Sequence, residues 1–163
     1  MDVLSAIRAR RSVRKYERRP LPKQVMEELL DSARLAPSAN NLQRFHILVV
    51  ADEGLRSRLV PVCGGQDFIA DCSAFLIGVT DPGAFYSCVD MTIAMDYLSL
   101  RAVELGLGTC WIGDFEPERI KTILDIPAER EIPICMAVGY PSHSPPARRR
   151  KAGGFYGPLL ARK

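Results

Sequence analysis

The chain has 163 residues, 47% of them hydrophobic and 25% charged, which suits one globular domain (1–163) with a real core and argues against disorder. Its longest apolar-rich stretch, around residues 86–107, carries Asp90, Asp96, Arg101 and Glu104, so it reads as a water-exposed helix and no membrane partner is expected. The net charge is only +3, but residues 8–23 hold eight of the 22 basic residues against one acid, residues 148–163 hold six against none, and the rest of the chain is acidic; cationic ends on an acidic body imply an anionic partner or solvated tails.

In chain order, residues 2–9 read as a short helix. A second helix starts with Pro22 in its first turn, repeats Val25, Met26, Leu29, Leu30 and Ala33 at helical spacing, and stops at Pro37. The run FHILVV (45–50) is apolar and β-branched, as a buried strand should be. Residues 53–59 form a short helix, and CGGQDF (63–68) is a turn or the start of another. AFLIGVT (74–80) is a second strand, closed by Asp81-Pro82-Gly83. A long helix over 85–105 is apolar around most of its surface, which places it centrally or between subunits. GLGTCWIG (106–113) reads as a helix cap leading into a short extended piece. Residues 116–124 are helical, and ICMAVGY (134–140) is a third core strand, followed by the proline-stiffened PSHSPPARRRK. Strands and helices without strict alternation favour an α+β sandwich over a doubly wound sheet.

Four stretches can carry chemistry. RRSVRKY (10–16) packs four cations into seven residues. On an extended chain Arg10, Ser12 and Arg14 alternate to one side, and two guanidiniums with a hydroxyl suit a phosphate; equally, cations after a helix can offset its dipole and sit in water. ARRRK (147–151) is either a second phosphate contact, a nucleic-acid patch or a solvated tail. PSANNLQ (37–43) offers small residues and amides to a flat ring, or is an ordinary turn. GLGTCWIG matches neither the P-loop nor G-x-G-x-x-G, though its glycines admit a ligand close to the backbone.

The remaining candidates point away from chemistry. Asp90 and Asp96 read as solvated or ion-paired. Cys63, Cys72, Cys88, Cys110 and Cys135 are odd in number and contain no C-x-x-C pair, and only His46 and His143 are present. That argues for reduced thiols in a cytoplasm, against disulfides, and against a metal site. No apolar run follows the first charges, so no signal peptide is expected.

Taken in order, RRSVRKY after the first helix, LPKQVMEELLDSARLAPSANNLQ, ELGLGTCWIGDF closing the long helix, and VGYP…PPARRRK resemble the nitroreductase family of FMN-dependent oxidoreductases, over about residues 3–151. The resemblance implies a mostly antiparallel sheet between helices in an intertwined homodimer, with each FMN site drawing on both subunits. It implies that Arg10, Ser12 and Arg14 hold the flavin phosphate and ribityl chain, with Arg14 also near the pyrimidine edge and Arg11 giving backbone contacts. Arg148 and Arg150 would reach the same phosphate. Pro37, Ser38, Ala39 and Asn41 would come from the partner, with Gln43 beside them. Ile112 and Gly113 would lie against the flavin, and Gln66 near the pyrimidine carbonyls. Where many members carry Q-P-W, this chain has Gln43-Arg44-Phe45, and it lacks the helical insertion with which larger members cover the pocket.

The activity so implied is NADH- or NADPH-dependent reduction of a small electron-poor acceptor, such as a nitro compound or quinone, by a ping-pong cycle. No catalytic side chain is needed, since the flavin carries the chemistry. A flavin carrier or sensor without turnover would share the cofactor residues. A nucleic-acid-binding role is disfavoured by the acidic body and by cations that are not interleaved with aromatics.

Overall fold

A four-stranded antiparallel sheet with helices on both faces organises the computed structural model, which describes residues 1–143. Arg148 and Arg150 lie outside the described residues. The strands are β1 (Phe45–Val50), β2 (Ala74–Thr80), β3 (Gly108–Ile112) and β4 (Cys135–Gly139), in the order β1-β2-β4-β3. The helices are α1 (Val3–Ala9), α2 (Lys23–Arg34), α3 (Glu53–Leu59), α4 (Phe68–Asp71), α5 (Ser87–Glu104) and α6 (Pro117–Leu124). The mostly antiparallel α+β architecture expected from the sequence is the one observed. Among the described residues no helix is long and apolar enough to cross a membrane.

The central strands explain their own composition. All seven residues of β2 and all five of β4 are buried, so both faces of these strands need apolar side chains. Phe75, Ile77, Cys135 and Ala137 face one core with Leu59, Ile69 and Ile120 of α3, α4 and α6. Ala74, Leu76, Met136 and Val138 face the other, against Leu29 and Ala33 of α2 and Met91, Ala94, Met95 and Leu98 of α5. The period of two sorts each strand between the cores. β1 alternates in exposure because it is an edge strand.

β3 is a full strand, where the sequence suggested a cap followed by a short extended piece. Gly108, Thr109 and Cys110 say little by themselves about extension, but they pair with Gly139, Val138 and Ala137, and tertiary pairing overrides propensity. α5 carries apolar side chains on more than one face, only one of which is buried. Its buried stripe is Ser87, Asp90, Met91, Ala94, Met95, Leu98, Ser99 and Ala102, while Val89 and Tyr97, with Phe85 and Tyr86 just before the helix, lie exposed.

Candidate functional site

The basic segment after α1 is held as an extended strand. Ser12 bridges Thr109 in parallel, and Val13 donates its N–H to the Thr109 carbonyl at 2.9 Å. Further along, Tyr16 bridges Pro141, and Glu17 donates to the Tyr140 carbonyl at 2.9 Å. Val13 and Tyr16 point into the core, each 6% exposed, while Ser12 and Arg14 are exposed and Arg10 is half-buried. Gly108 makes this approach possible: a Cβ there would lie 2.4 Å from Val13 Cγ2. The segment therefore crosses from β3 to the end of β4 with Arg14 and Lys15 outward.

The charges on this segment are poorly compensated. Arg18 pairs with Asp71 at 2.8 Å and Glu53 at 3.6 Å, but among the described residues neither Arg10 nor Arg14 has a carboxylate partner. Among the described residues Nη1 of Arg10 is buried without an acceptor, which is costly for a charged donor. Arg11 is different: its Nη1 folds back onto the carbonyls of Arg8 and Arg10, at 2.5 and 2.8 Å. Both Arg14 and Arg10 act on Cys110 of β3. Burial pushes that thiol up, and their positive fields oppose the rise, Arg14 more strongly. The two guanidiniums thus share one neighbourhood beside β3.

β3 ends three residues beyond Thr109. Ile112 is buried, whereas a Cβ on Gly113 would meet nothing within 4 Å, so the backbone there is open to a ligand. The turn carrying Gln66 packs against the same stretch. A Cβ on Gly64 would clash with Asp114 Oδ2 at 2.4 Å, and Glu116 donates to the Val62 carbonyl at 2.8 Å. Gln66 Nε2 is used within the turn, bonding the Cys63 carbonyl at 3.0 Å. Its amide oxygen is the end available to a ligand.

Residues 37–43 form a second element. Ser38 is extended, a 3-10 turn covers Ala39–Asn41, and Asn40, Asn41 and Gln43 all have positive φ, at 51°, 57° and 48°. Left-handed conformations in non-glycine residues cost roughly 1–2 kcal/mol each, although asparagine tolerates them better than most. The loop is held by its own side chains: Ser38 Oγ accepts from Gln43 N at 3.1 Å, and Gln43 Nε2 bonds the Arg34 carbonyl at 3.2 Å. Across to α5, the Ala39 N–H is shared by both carboxylate oxygens of Asp90, at 3.1 and 3.2 Å. Among the described residues no hydrogen bond or ion pair joins this loop to Arg10–Arg14.

Asp90 is the residue sequence reasoning missed. It is 6% exposed, not solvated. Its helical spacing carried the signal, because Ser87, Asp90, Met91 and Ala94 share one stripe of α5. The buried cysteines are inert, as their composition suggested. Burial pushes the Cys63 and Cys72 thiols up to about 12 and raises Cys135 as well, which leaves these three without a thiolate for nucleophilic attack near neutral pH.

Comparison with known proteins bears on this arrangement. The family model described as the nitroreductase family matches residues 7–71 and 62–140. A Methanothermobacter thermautotrophicus protein described as an NADH dehydrogenase/NAD(P)H nitroreductase is 33% identical over 91% of this chain and 82% of its own. A nitroreductase family protein from Clostridium novyi NT superposes with a TM-score of 0.83 at 25% identity, covering 88% of this chain and 87% of that one. An FMN-dependent nitroreductase from Clostridium difficile R20291 superposes at 0.77 with 27% identity, covering 86% and 88%.

Proposed function

The chain belongs to the nitroreductase family, and from that premise we propose that it is an FMN-dependent oxidoreductase that takes electrons from NADH or NADPH and passes them to a small electron-poor acceptor, such as a nitro compound or quinone. The observation that carries the proposal is the pair of uncompensated guanidiniums, Arg10 and Arg14, on a strand laid beside β3. The residues present fit an FMN: a phosphate supplies the acceptor that the buried Nη1 of Arg10 lacks.

A bound FMN would supply the hydride acceptance and donation that a ping-pong cycle needs. The chain's own work is binding and electrostatics. Arg10, Ser12 and Arg14 hold the phosphate and ribityl chain, with Arg148 and Arg150 reaching the same group and Arg11 contributing its backbone. Each charge-assisted hydrogen bond is worth roughly 1.5–3 kcal/mol. Arg14 places a positive charge toward the pyrimidine edge and favours electron density there. The backbone of Ile112 and Gly113 would lie against the ring, and Gln66 would offer its amide oxygen to it. No side chain has to act as acid, base or nucleophile.

The second half of the site comes from a partner in a homodimer. Pro37, Ser38, Ala39, Asn41 and Gln43 close over the partner's flavin. Two features support this: among the described residues the loop has no bond to Arg10–Arg14 within the chain, and α5 leaves an apolar face uncovered. Phe85 is 86% exposed, Tyr86 55%, Val89 53% and Tyr97 44%, a stripe that water disfavours and a second copy would bury.

The test is direct. The purified chain is expected to bind FMN, and the bound flavin is expected to bleach when NADH or NADPH is added without oxygen. A chain that ignores added FMN ends the proposal. A chain that binds FMN but bleaches with neither nicotinamide is a flavin carrier.

A further inference from the structure

The tie between Asp90 and Ala39 has a role that family membership does not assign. We infer that Asp90 is a positioning residue: it anchors the 37–43 loop to α5, so that the loop is formed in the shape that the partner's flavin requires. The inference rests on the FMN reading above and extends it to a residue outside the binding set.

Three observations carry it. First, Asp90 is a buried carboxylate whose bond to the loop is a backbone N–H, that of Ala39, held by both oxygens at 3.1 and 3.2 Å. A buried carboxylate is kept only where something needs its bond, because its loss of water is costly. Second, the loop it holds contains three non-glycine residues in left-handed conformations. A loop of that shape persists only when its surroundings over-determine it. The ties of Ser38 and Gln43 join the loop to itself and to the end of α2. Among the described residues, Asp90 makes the side-chain hydrogen bond that joins it to α5. Third, Asp90 lies in the first turn of α5, buried where its neighbour Val89 is exposed, and close in sequence to the exposed Phe85 and Tyr86. The helix that carries the uncovered apolar face therefore also carries the anchor of the loop. Formation of the dimer and completion of the flavin site are coupled through one rigid element.

The inference separates shape from contact. Replacing Asp90 removes an acceptor from the loop without removing any group that touches FMN. The side-chain amide of the Asp90→Asn variant keeps one oxygen able to accept from Ala39 N, whereas Asp90→Ala keeps none. A reciprocal variant is available at the donor. Ser38 is extended at φ −136° and ψ 156°, as the residue before a proline should be, and Ala39 opens the 3-10 turn, so Ala39→Pro deletes the N–H at the position of a helical turn where proline is best tolerated.

The experiment measures backbone amide exchange over residues 36–44 in the FMN-free protein, FMN affinity by flavin fluorescence, and mass in solution by light scattering. Asp90→Ala is expected to speed exchange at the loop and to weaken FMN binding about tenfold to a hundredfold, the loss expected of one charge-assisted bond, with the mass unchanged. Asp90→Asn is expected to recover most of both. If Asp90→Ala does not fold, Ala39→Pro is read by loop exchange alone, since Ala39 itself belongs to the flavin-facing loop: exchange is expected to speed at its neighbours, and unchanged exchange overturns the anchor. Unchanged exchange in Asp90→Ala overturns the anchor. Faster exchange with unchanged FMN affinity overturns its relevance to the flavin. Equal weakening by Asp90→Asn and Asp90→Ala also overturns it, because acceptance from Ala39 would then not be what matters. Failure of the unsubstituted chain to bind FMN instead ends the proposed function, and the exchange measurement alone then judges the anchor.

Discussion

Ser142 donates its backbone N–H to the carbonyl of Lys15 at 3.1 Å, so residues 127 positions apart in the chain lie side by side. Lys15 neighbours Arg14, and Arg148 comes six residues after Ser142, within about 20 Å of extended chain. The chain that follows β4 is thus tethered beside the first basic cluster before any ligand binds.

That tether makes the pair Arg148→Ala and Arg150→Ala a sharp test. The double variant is expected to weaken FMN binding by at least about tenfold, the loss of one or two charge-assisted bonds, without altering thermal stability of the FMN-free chain. Fluorescence titration reads the affinity. Equal affinity would remove both residues from the site.

Gly108 should be intolerant of a side chain. A Cβ there would sit 2.4 Å from Val13 Cγ2 and 2.7 Å from Val13 Cβ, so Gly108→Val must push the 12–16 strand off β3. A destabilisation of roughly 1–3 kcal/mol is expected from overpacking, together with loss of FMN binding, because Arg10 and Arg14 move with the strand. Urea unfolding and an FMN titration check the two halves separately.

The buried thiols set an alkaline limit. Burial, helped by the charge of Asp114, raises Cys63 from about 9 to about 12, and burial raises Cys72 to about 12 against the opposing field of Arg56. Above about pH 9 these thiols ionise in the unfolded chain but stay neutral in the folded one, so the unfolded state binds fewer protons and stability falls with rising pH. The loss is at most about 1.4 kcal/mol per pH unit for each thiol. Denaturation midpoints between about pH 8 and 11 should show this decline. At about pH 8 a disulfide reagent should find no more than one reactive thiol in the folded protein, since Cys88 alone of the five is exposed.

The apolar face of α5 yields a test of assembly. Val89→Glu with Tyr97→Glu changes two exposed side chains and should leave the single chain folded. It is expected to convert a dimer into a monomer by light scattering and to reduce FMN retention. A variant that still dimerises would show that this face is not the interface.

Much of the fold was legible because its signals are local. The runs at β1, β2 and β4 announce strands by continuous apolar and β-branched residues, and the proline-led helices α2 and α6 announce their starts. β3 was less legible. Gly108 and Thr109 say little about extension until β4 lies on one side and Val13 on the other. Asp90 was misread for a related reason. A carboxylate in the first turn of a helix is ordinarily a solvated partner of the helix dipole, and nothing near it in sequence names Ala39.

By itself, then, the sequence determined that β1, β2 and β4 are strands, where the long helices lie, and that the cations gather at the two ends of the chain. These follow from composition and period, which act over a few residues. Only the tertiary structure decided that Lys15 meets Ser142, that the segment from Arg10 to Arg14 is laid along β3 at Thr109, and that Asp90 is buried against the 37–43 loop. Those pairings join residues 51 to 127 positions apart. They arise when the sheet buries its two faces, an event that no local pattern of side chains encodes.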